Sequence, residues 1–146
     1  MKILYLHQYF NMPQNSGGTR SYEMARRLVA AGHEVTMITT SAALGDAWVP
    51  TDGWHSHLVE GIHVEVLKVP YDNAMSYARR IKAFFEFALG ASWHVRKFQA
   101  DVVFATSTPL TIIFPGLAAK LWHRIPLVFE VRDLWAWIYT QNQVKA

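Results

Sequence analysis

Hydrophobic residues near the start of the chain follow two patterns, and each pattern predicts one kind of element. Residues 3–6 are apolar without interruption, which is typical of a strand buried on both faces of a parallel sheet. Residues 21–31 place apolar side chains at helical spacing, and Gly32 ends the predicted helix. Residues 33–40 then predict a second strand.

The same alternation continues along the chain. Three further strands are predicted over residues 62–70, 101–106 and 125–133, and two further helices over residues 76–98 and 109–123. Residues 41–61 carry turn-forming residues and little periodicity, so we predict a long loop there. Strands that alternate with helices predict an α/β fold, here a Rossmann-like three-layer domain with a mainly parallel sheet.

The predicted helix over residues 76–98, from Ser76 to Phe98, is rich in aromatic and cationic side chains. Its apolar positions at helical spacing are Ile81, Phe84, Phe85, Ala88 and Leu89. Its cations are Arg79, Arg80, Lys82, Arg96 and Lys97. Two compatible interpretations stay open: the apolar stripe packs on the sheet with the cations in water, or the helix lies on an anionic membrane surface.

Composition narrows the class of protein. A chain of 146 residues that is 51% hydrophobic is long enough for one domain with a core. The absence of cysteine excludes disulfides and thiolate metal sites. We find neither a secretory leader nor an apolar run of about 20 residues, so we expect a cytoplasmic or peripheral protein. A net charge of +3 suits a phosphate, a nucleotide or a membrane surface, and we expect no nucleic-acid partner.

The seven histidines raise the question of a metal site. His55 and His57 form an HxH pair, and His63 follows closely. No acidic cluster completes a ligand set of three or four groups, and the pair falls in a predicted loop. We therefore expect solvated histidines and no metal.

A polar loop with two glycines joins the first strand to the first helix. In a doubly wound sheet, ligands bind at the carboxyl ends of the strands, and a helix N-terminus attracts phosphate. Gly17 and Gly18 leave room for that approach, and Arg20 adds a cation. The spacing matches neither GxGxxG nor GxxxxGK[ST]. From these residues alone, a phosphate cradle and a plain turn both stay open.

Two other strand ends carry polar candidates. His7 follows the first strand, next to Tyr9 and Phe10, and we predict that these side chains contact an acceptor or a sugar. The alternative for His7 is a hydrogen bond to the backbone. Thr106 ends the fourth strand, where its hydroxyl could contact a sugar or help to cap the next helix before Pro109.

Four stretches, taken in order, resemble the N-terminal half of a glycosyltransferase family 4 enzyme of the GT-B fold. They are MKILYLHQYF, GGTRSYEMARRLVAAGHEVTMIT, DVVFATSTPL and PLVFEVRDLW. The chain is similar to bacterial fucosamine-type transferases that build surface polysaccharides such as O-antigen. The resemblance covers about residues 1–135. We predict one domain there, and an atypical tail over residues 136–146 that follows from truncation, a frameshift or cloning.

The resemblance implies a function shared between two domains. In the family, the N-terminal domain binds the acceptor, and a C-terminal domain, missing here, holds the nucleotide-sugar. Gly17, Gly18, Thr19 and Arg20 would then reach the donor diphosphate. The implied enzyme is a retaining transferase that moves a sugar from a nucleotide-diphosphate carrier, UDP above all, to a lipid-linked saccharide, with no metal or other cofactor. We expect this chain alone to be inactive and to need the second domain in cis or in trans.

The chain departs from the family pattern after the fifth strand. Many members carry a His-Asp pair there, whereas this chain has Arg132 followed by Asp133. Arginine is not a general base at ordinary pH. The resemblance therefore implies that Arg132 stabilises charge or binds the acceptor diphosphate, and that Asp133 is a base or its orienting partner. The alternative is a non-catalytic Rossmann-like subunit of a split glycosyltransferase, or a module that binds a nucleotide or a partner.

Overall fold

A computed structural model describes residues 1–72, 74–107 and 109–132. Within them the strands are β1 (Lys2–Leu6), β2 (Glu34–Thr40), β3 (Trp54–Val59), β4 (Ile62–Leu67), β5 (Val102–Thr106) and β6 (Leu127–Glu130). The α-helices are α1 (Arg20–Ala30), α2 (Tyr77–His94) and α3 (Ile113–His123). Short 3₁₀ segments cover Asp46–Trp48, Val95–Lys97 and Leu110–Ile112. Asp133 and the predicted tail lie outside the described residues.

One sheet holds all six of these strands in the order β3-β4-β2-β1-β5-β6. Every neighbouring pair is parallel except β3 and β4, which are antiparallel. The chain adds β2 on one side of β1 and later β5 on the other. Ligands bind at such a switch point, so the carboxyl ends of β1 and β5 mark the place to examine. The predicted α/β, mainly parallel Rossmann-like fold is confirmed.

Two hydrophobic cores lie on the two faces of the sheet. Successive strand residues point to opposite faces, so Tyr5 packs with α1 and the buried Tyr22, whereas Leu6 packs with α2 and α3. Both strand side chains are fully buried. The sheet thus has a helix layer on each side.

The prediction of an uninterrupted loop over residues 41–61 was wrong, because β3 lies within it. A two-residue turn at Glu60 and Gly61, with φ of 48° and 82°, reverses the chain into β4. Positive φ at both central residues is typical of hairpin turns whose twist matches the strands. β3 is an edge strand with partly exposed side chains such as Leu58, so its apolar alternation is weak.

One of the two interpretations of α2, an apolar stripe packed on the sheet, holds for only part of that stripe. Ala88 is buried, Ile81 and Phe84 are half-buried, and Phe85 and Leu89 are exposed. The buried residues of α2 are Ala83, Phe87, Ala88, Ala91 and His94. The exposed fractions of Phe85 and Leu89 are 47% and 72%, which leaves these two side chains available for the second interpretation. Alanines let the helix approach the sheet closely, and a Cβ at Gly90 would lie 3.0 Å from the Leu67 side chain. Three of the five buried residues of α2 are alanines, so the large apolar side chains alone do not mark its buried face.

Candidate functional site

Three elements meet through one carboxylate at the carboxyl edge of the sheet. Both terminal nitrogens of Arg20, the first residue of α1, donate to Glu130, the last residue of β6. The hydroxyl of Thr106, the last residue of β5, donates to Glu130 Oε2 at 2.7 Å. We call these three residues the edge cluster. Parallel strands end at the same edge, and this brings residues far apart in sequence together.

Glu130 carries a full negative charge in this cluster. Its hydrogen bonds from Arg20 lower the pKa of its carboxyl to about 2, with a further contribution from Thr106 and against the opposing effect of burial. Its side chain is 23% exposed and that of Arg20 is 50% exposed. The cluster is therefore an ionised pair that solvent can reach.

His7 lies beside the edge cluster as a neutral base. Its side chain follows β1 and is 6% exposed. Burial, and then the charge of Arg132, lower its pKa to about 4. The His7 backbone N–H donates to Ile38, whereas its ring nitrogen Nδ1 is buried with no hydrogen-bond partner in the described part of the chain. The ring therefore keeps a hydrogen-bonding capacity that no described residue uses.

Arg132 is attached to this edge through its backbone. Its N–H donates to the hydroxyl of Ser107 at 2.9 Å, and the Ser107 N–H donates to the Glu130 carbonyl. The residue is exposed. The structure thus brings together four predicted site residues: Arg20, Thr106, His7 and Arg132.

The two loop glycines have different structural environments. Gly17 adopts φ +110°, and a Cβ there would lie 3.0 Å from the Asn11 amide nitrogen, which donates to the Ser16 carbonyl. Gly17 is therefore needed for the backbone conformation of the loop, whether or not a ligand binds there. Gly18 has ordinary φ, and a Cβ added to it would meet no atom within 4 Å. Thr19 precedes α1 and makes no side-chain capping bond, so no threonine oxygen covers the first-turn N–H groups.

The two aromatic candidates do not join the edge cluster. Phe10 is fully buried in the core on the α1 face, so the prediction that it contacts an acceptor was wrong. The loop folds back here, and the backbone N–H of Phe10 donates to the hydroxyl of Thr39. Tyr9 packs instead against Tyr71, with ring centroids 5.3 Å apart. Burial raises the pKa of the Tyr9 hydroxyl, which has no partner among the described residues.

Sequence reasoning missed Glu130, although this residue directly precedes the stretch that holds Arg132 and Asp133. The signal was present, because Glu130 is the one charged residue of the strand LVFE and stands at its carboxyl end. Ser107 was likewise not singled out. Both belong to the class of polar residues that terminate buried strands, where ligands bind in α/β sheets.

A second carboxylate cluster is buried away from this edge. Glu65 accepts from the Ser56 hydroxyl at 2.6 Å and from His94 Nε2 at 2.9 Å. We call Ser56, Glu65 and His94 the buried cluster. The Trp54 ring stacks on the His94 ring with centroids 3.8 Å apart. This cluster joins β3, β4 and α2.

The HxH pair lies on β3 rather than in a loop. Nε2 of His55 and of His57 donates to a backbone carbonyl, that of Thr51 and that of Trp48. Among the described residues, no group of three or more His, Asp or Glu side chains could hold a metal ion. Within the same part of the chain, no helix is both long and apolar enough to cross a bilayer.

An apolar face lies exposed where α2 and α3 pack together. Leu89, Trp93 and Leu121 are each about 70% exposed, at 72%, 69% and 73%. The Arg96 guanidinium lies over two indole rings, 4.0 Å from the centroid of Trp93 and 3.7 Å from that of Trp122. We call these five residues the aromatic face.

Comparisons with known proteins agree with this fold. Residues 16–145 match the model of a family described as "Glycosyl transferase 4-like domain". Two crystal structures of the C-terminal domain of a hydrogenase from Pyrococcus furiosus have TM-scores of 0.61 and 0.58 at 16% identity, over 88% of this chain and 90% of that one. The glycotransferase of kitacinnamycin has a TM-score of 0.54 at 20% identity, over 99% of this chain and 34% of that one. Comparison with curated protein sequences finds no match.

The structural likenesses are below 25% identity and establish the fold alone. The family model spans most of the chain, and it includes Gly17, Gly18, Arg20, Glu130 and Arg132. The chain therefore belongs to the glycosyl transferase 4-like domain family.

Proposed function

We propose that the chain is the acceptor-side domain of a retaining glycosyltransferase. The complete enzyme moves a sugar, an N-acetylated hexosamine, from a UDP carrier to a lipid-linked saccharide in the synthesis of a surface polysaccharide such as O-antigen. One observation supports this most: Arg20, Thr106, Glu130 and the buried His7 converge where ligands bind in doubly wound sheets. The family membership agrees with a transferase.

Each candidate has a role in this proposal. The donor diphosphate gains negative charge as it leaves the sugar, and the Arg20 guanidinium with the backbone N–H groups after Gly18 stabilises that charge. His7 is neutral at pH 7 and lies at the carboxyl end of β1, where contact with the acceptor stays our prediction. Arg132 stabilises the negative charge of the acceptor diphosphate or binds that group directly. Asp133 lies outside the described residues, and its role as base or orienting partner stays a prediction.

The second domain completes the site. The chain spans 34% of the kitacinnamycin glycotransferase that it resembles. We propose that the donor is held chiefly by a second domain, in cis or in trans, and that no cofactor is needed. The chain alone should transfer little sugar. The alternative is a non-catalytic Rossmann-like subunit of a split glycosyltransferase, or a module that binds a nucleotide or a partner.

The test of this function is a titration of the ¹⁵N-labelled chain with UDP, followed by nuclear magnetic resonance, which detects weak binding. We expect UDP to shift the amide signals of Gly17, Gly18 and Arg20, and uridine to leave them unchanged. Arg20→Ala should weaken UDP binding about 10-fold, the usual effect of losing charge-assisted hydrogen bonds. Shifts elsewhere only, or equal binding by uridine, would refute a diphosphate site at this loop.

We propose further that the aromatic face docks on an anionic membrane, within the segment from Ser76 to Phe98 and on the adjoining α3. Exposed leucines and tryptophans suit the interfacial region, and the exposed Lys97 and Lys120 suit anionic headgroups. Sedimentation with phosphatidylglycerol vesicles tests this. Leu89→Ser should reduce binding, and Leu58→Ser, an exposed leucine on β3, is the matched control. Equal effects of the two changes would refute this face.

A further inference from the structure

Glu130 raises a problem for the proposed phosphate site. It is ionised, and it lies in hydrogen-bond contact with Arg20, the cation expected to meet the donor diphosphate. By Coulomb's law alone, this carboxylate should repel the diphosphate and weaken its binding. If the diphosphate binds here, Glu130 must also favour its binding in a way that outweighs this repulsion.

The geometry of the Arg20–Glu130 pair provides a way in which Glu130 can favour binding. Arginine carries five N–H donors in a rigid planar fork. Glu130 receives one hydrogen bond from each terminal nitrogen of Arg20, Nη1 and Nη2. The Nε–H and a second N–H on each terminal nitrogen remain outside this pairing, along the other edges of the plane. The Arg20 side chain is half exposed, so these donors have access to a ligand.

Glu130 is itself fixed by the sheet. It ends β6 directly opposite Thr106 of β5, and the Thr106 hydroxyl donates to Oε2 of the same carboxylate. An exposed arginine has many rotamers to lose when it binds a ligand. An arginine already held by a fixed carboxylate loses fewer, and preorganisation of this kind increases affinity.

We propose that Glu130 is a positioning residue, which holds the Arg20 guanidinium at the start of α1 with its free edge turned to the donor diphosphate. Thr106 supports Glu130 in this orientation. The inference rests on the proposed function, because it assigns a diphosphate to Arg20. It adds a positioning carboxylate to the site, and it assigns Thr106 to the support of Glu130 instead of direct contact with a sugar.

The sign of one mutational effect tests the proposal. Glu130→Gln keeps the shape and removes the negative charge, so repulsion alone predicts tighter UDP binding. Positioning predicts the opposite, and we expect about 5-fold weaker binding, measured by the same UDP titration. Glu23→Gln is the matched control, because it removes a carboxylate that pairs with Arg26 on the exposed side of α1. It should leave UDP binding unchanged or slightly tighter.

A second measurement separates this inference from the proposed function. The ¹⁵N heteronuclear Overhauser effect of Arg20 Nε reports the order of the guanidinium without any ligand, and we expect it to fall in Glu130→Gln. Thr106→Val tests the same arrangement if Glu130→Gln does not fold. Unchanged or tighter UDP binding by Glu130→Gln would overturn the proposal, as would an unchanged Arg20 signal. A wild-type chain that binds no UDP while Arg20 is ordered by Glu130 would refute the diphosphate site of the proposed function instead.

Discussion

The edge cluster and the buried cluster contain the same chemistry in two different surroundings. In each, one carboxylate accepts hydrogen bonds from a hydroxyl and from a nitrogen donor. Glu130 accepts from Thr106 and Arg20, and Glu65 accepts from Ser56 and His94. Each joins three elements of the fold. A list of contacts alone would therefore assign both the same role.

Burial separates the two roles. Glu65 and His94 are 8% and 6% exposed, and the rings of Trp54 and Phe98 cover the His94 ring. The carboxylate of Glu65 has its partners within the protein and no room for a ligand. Arg20 in the edge cluster is half exposed and has N–H groups to spare. The comparison teaches that accessible, unused donors mark a site better than a network of hydrogen bonds does.

The largest expected effect is the loss of stability when the carboxylate of the buried cluster is removed, compared with the same change in the edge cluster. Glu65→Ala leaves the buried His94 ring and the Ser56 hydroxyl without their acceptor and should lower the free energy of unfolding by about 1–3 kcal/mol for each unsatisfied group. Glu130→Ala should cost less than about 1 kcal/mol, because the pair it breaks is exposed and screened by water. Urea denaturation of both variants measures this. Equal losses would show that the clusters do not differ as described.

The next largest effect is a pH dependence of stability that comes from His7, whose ring has no hydrogen-bond partner among the described residues. The His7 pKa is about 4 in the folded state against 6.5 ordinarily, so the folded state binds fewer protons between these values. Stability is complete above pH 6.5 and should fall by on the order of 2 kcal/mol by pH 5. Denaturation curves at several pH values check this, and His7→Gln should flatten the slope.

The contribution of Glu65 lies in a separate pH window. Burial, the largest single influence, raises the pKa of its carboxyl, but the hydrogen bonds from His94 and Ser56 together bring it below the ordinary 4.5. Its stabilisation is therefore present above pH 4.5 and is lost only as the pH falls further. A slope between pH 6.5 and 5 that persists in His7→Gln would contradict the assignment to His7.

Substitution of Gly17 and Gly18 should have a smaller effect on stability. The two changes separate a glycine that the fold requires from one that a ligand could approach. Gly17→Ala should cost about 1–2 kcal/mol of stability, because φ is +110° and the new Cβ would crowd Asn11. Gly18→Ala should change stability by less than about 0.5 kcal/mol. If the diphosphate approaches Gly18, the same change should weaken UDP binding. Melting temperatures and the UDP titration distinguish these outcomes.

The smallest effect concerns Arg96, an arginine held by aromatic rings rather than by a carboxylate. Arg96→Ala removes a guanidinium from between Trp93 and Trp122 and should cost about 0.5–1 kcal/mol. Arg79→Ala, at an exposed position on the same helix, should cost nearly nothing. Urea denaturation of both variants measures the difference. A loss above about 2 kcal/mol at Arg96 would mean that this residue is more than a surface contact.

The sequence was sufficient for most of the elements and for the edge that carries the site. Continuous apolar runs predicted the buried strands of the sheet because both of their faces are covered. It was insufficient for β3, since an edge strand with polar His55 and His57 carries little apolar alternation. It also failed for the buried face of α2, where Ala83 and Ala91 face the sheet and larger side chains such as Leu89 do not.

The candidate site was predictable in its position and incomplete in its partners. Arg20 and Thr106 could be named because they end or begin regular elements. That they share one carboxylate could not, because a sequence of strands does not reveal that β6 pairs with β5 in the register that sets Thr106 beside Glu130. Phe10 failed for a related reason, since no pattern in a loop says which side chain turns back into the core.

The hairpin turn at Glu60 and Gly61 also has a consequence for how the protein folds. β3 and β4 pair across this two-residue turn, whereas β1 and β5 join Ile3 to Val102. The entropy lost in closing a loop grows with its length, and hairpins form within about 1–10 μs. We expect the β3–β4 edge to nucleate early and the β1–β5 junction to close late. The edge that carries the candidate site would then assemble only after most of the chain has folded.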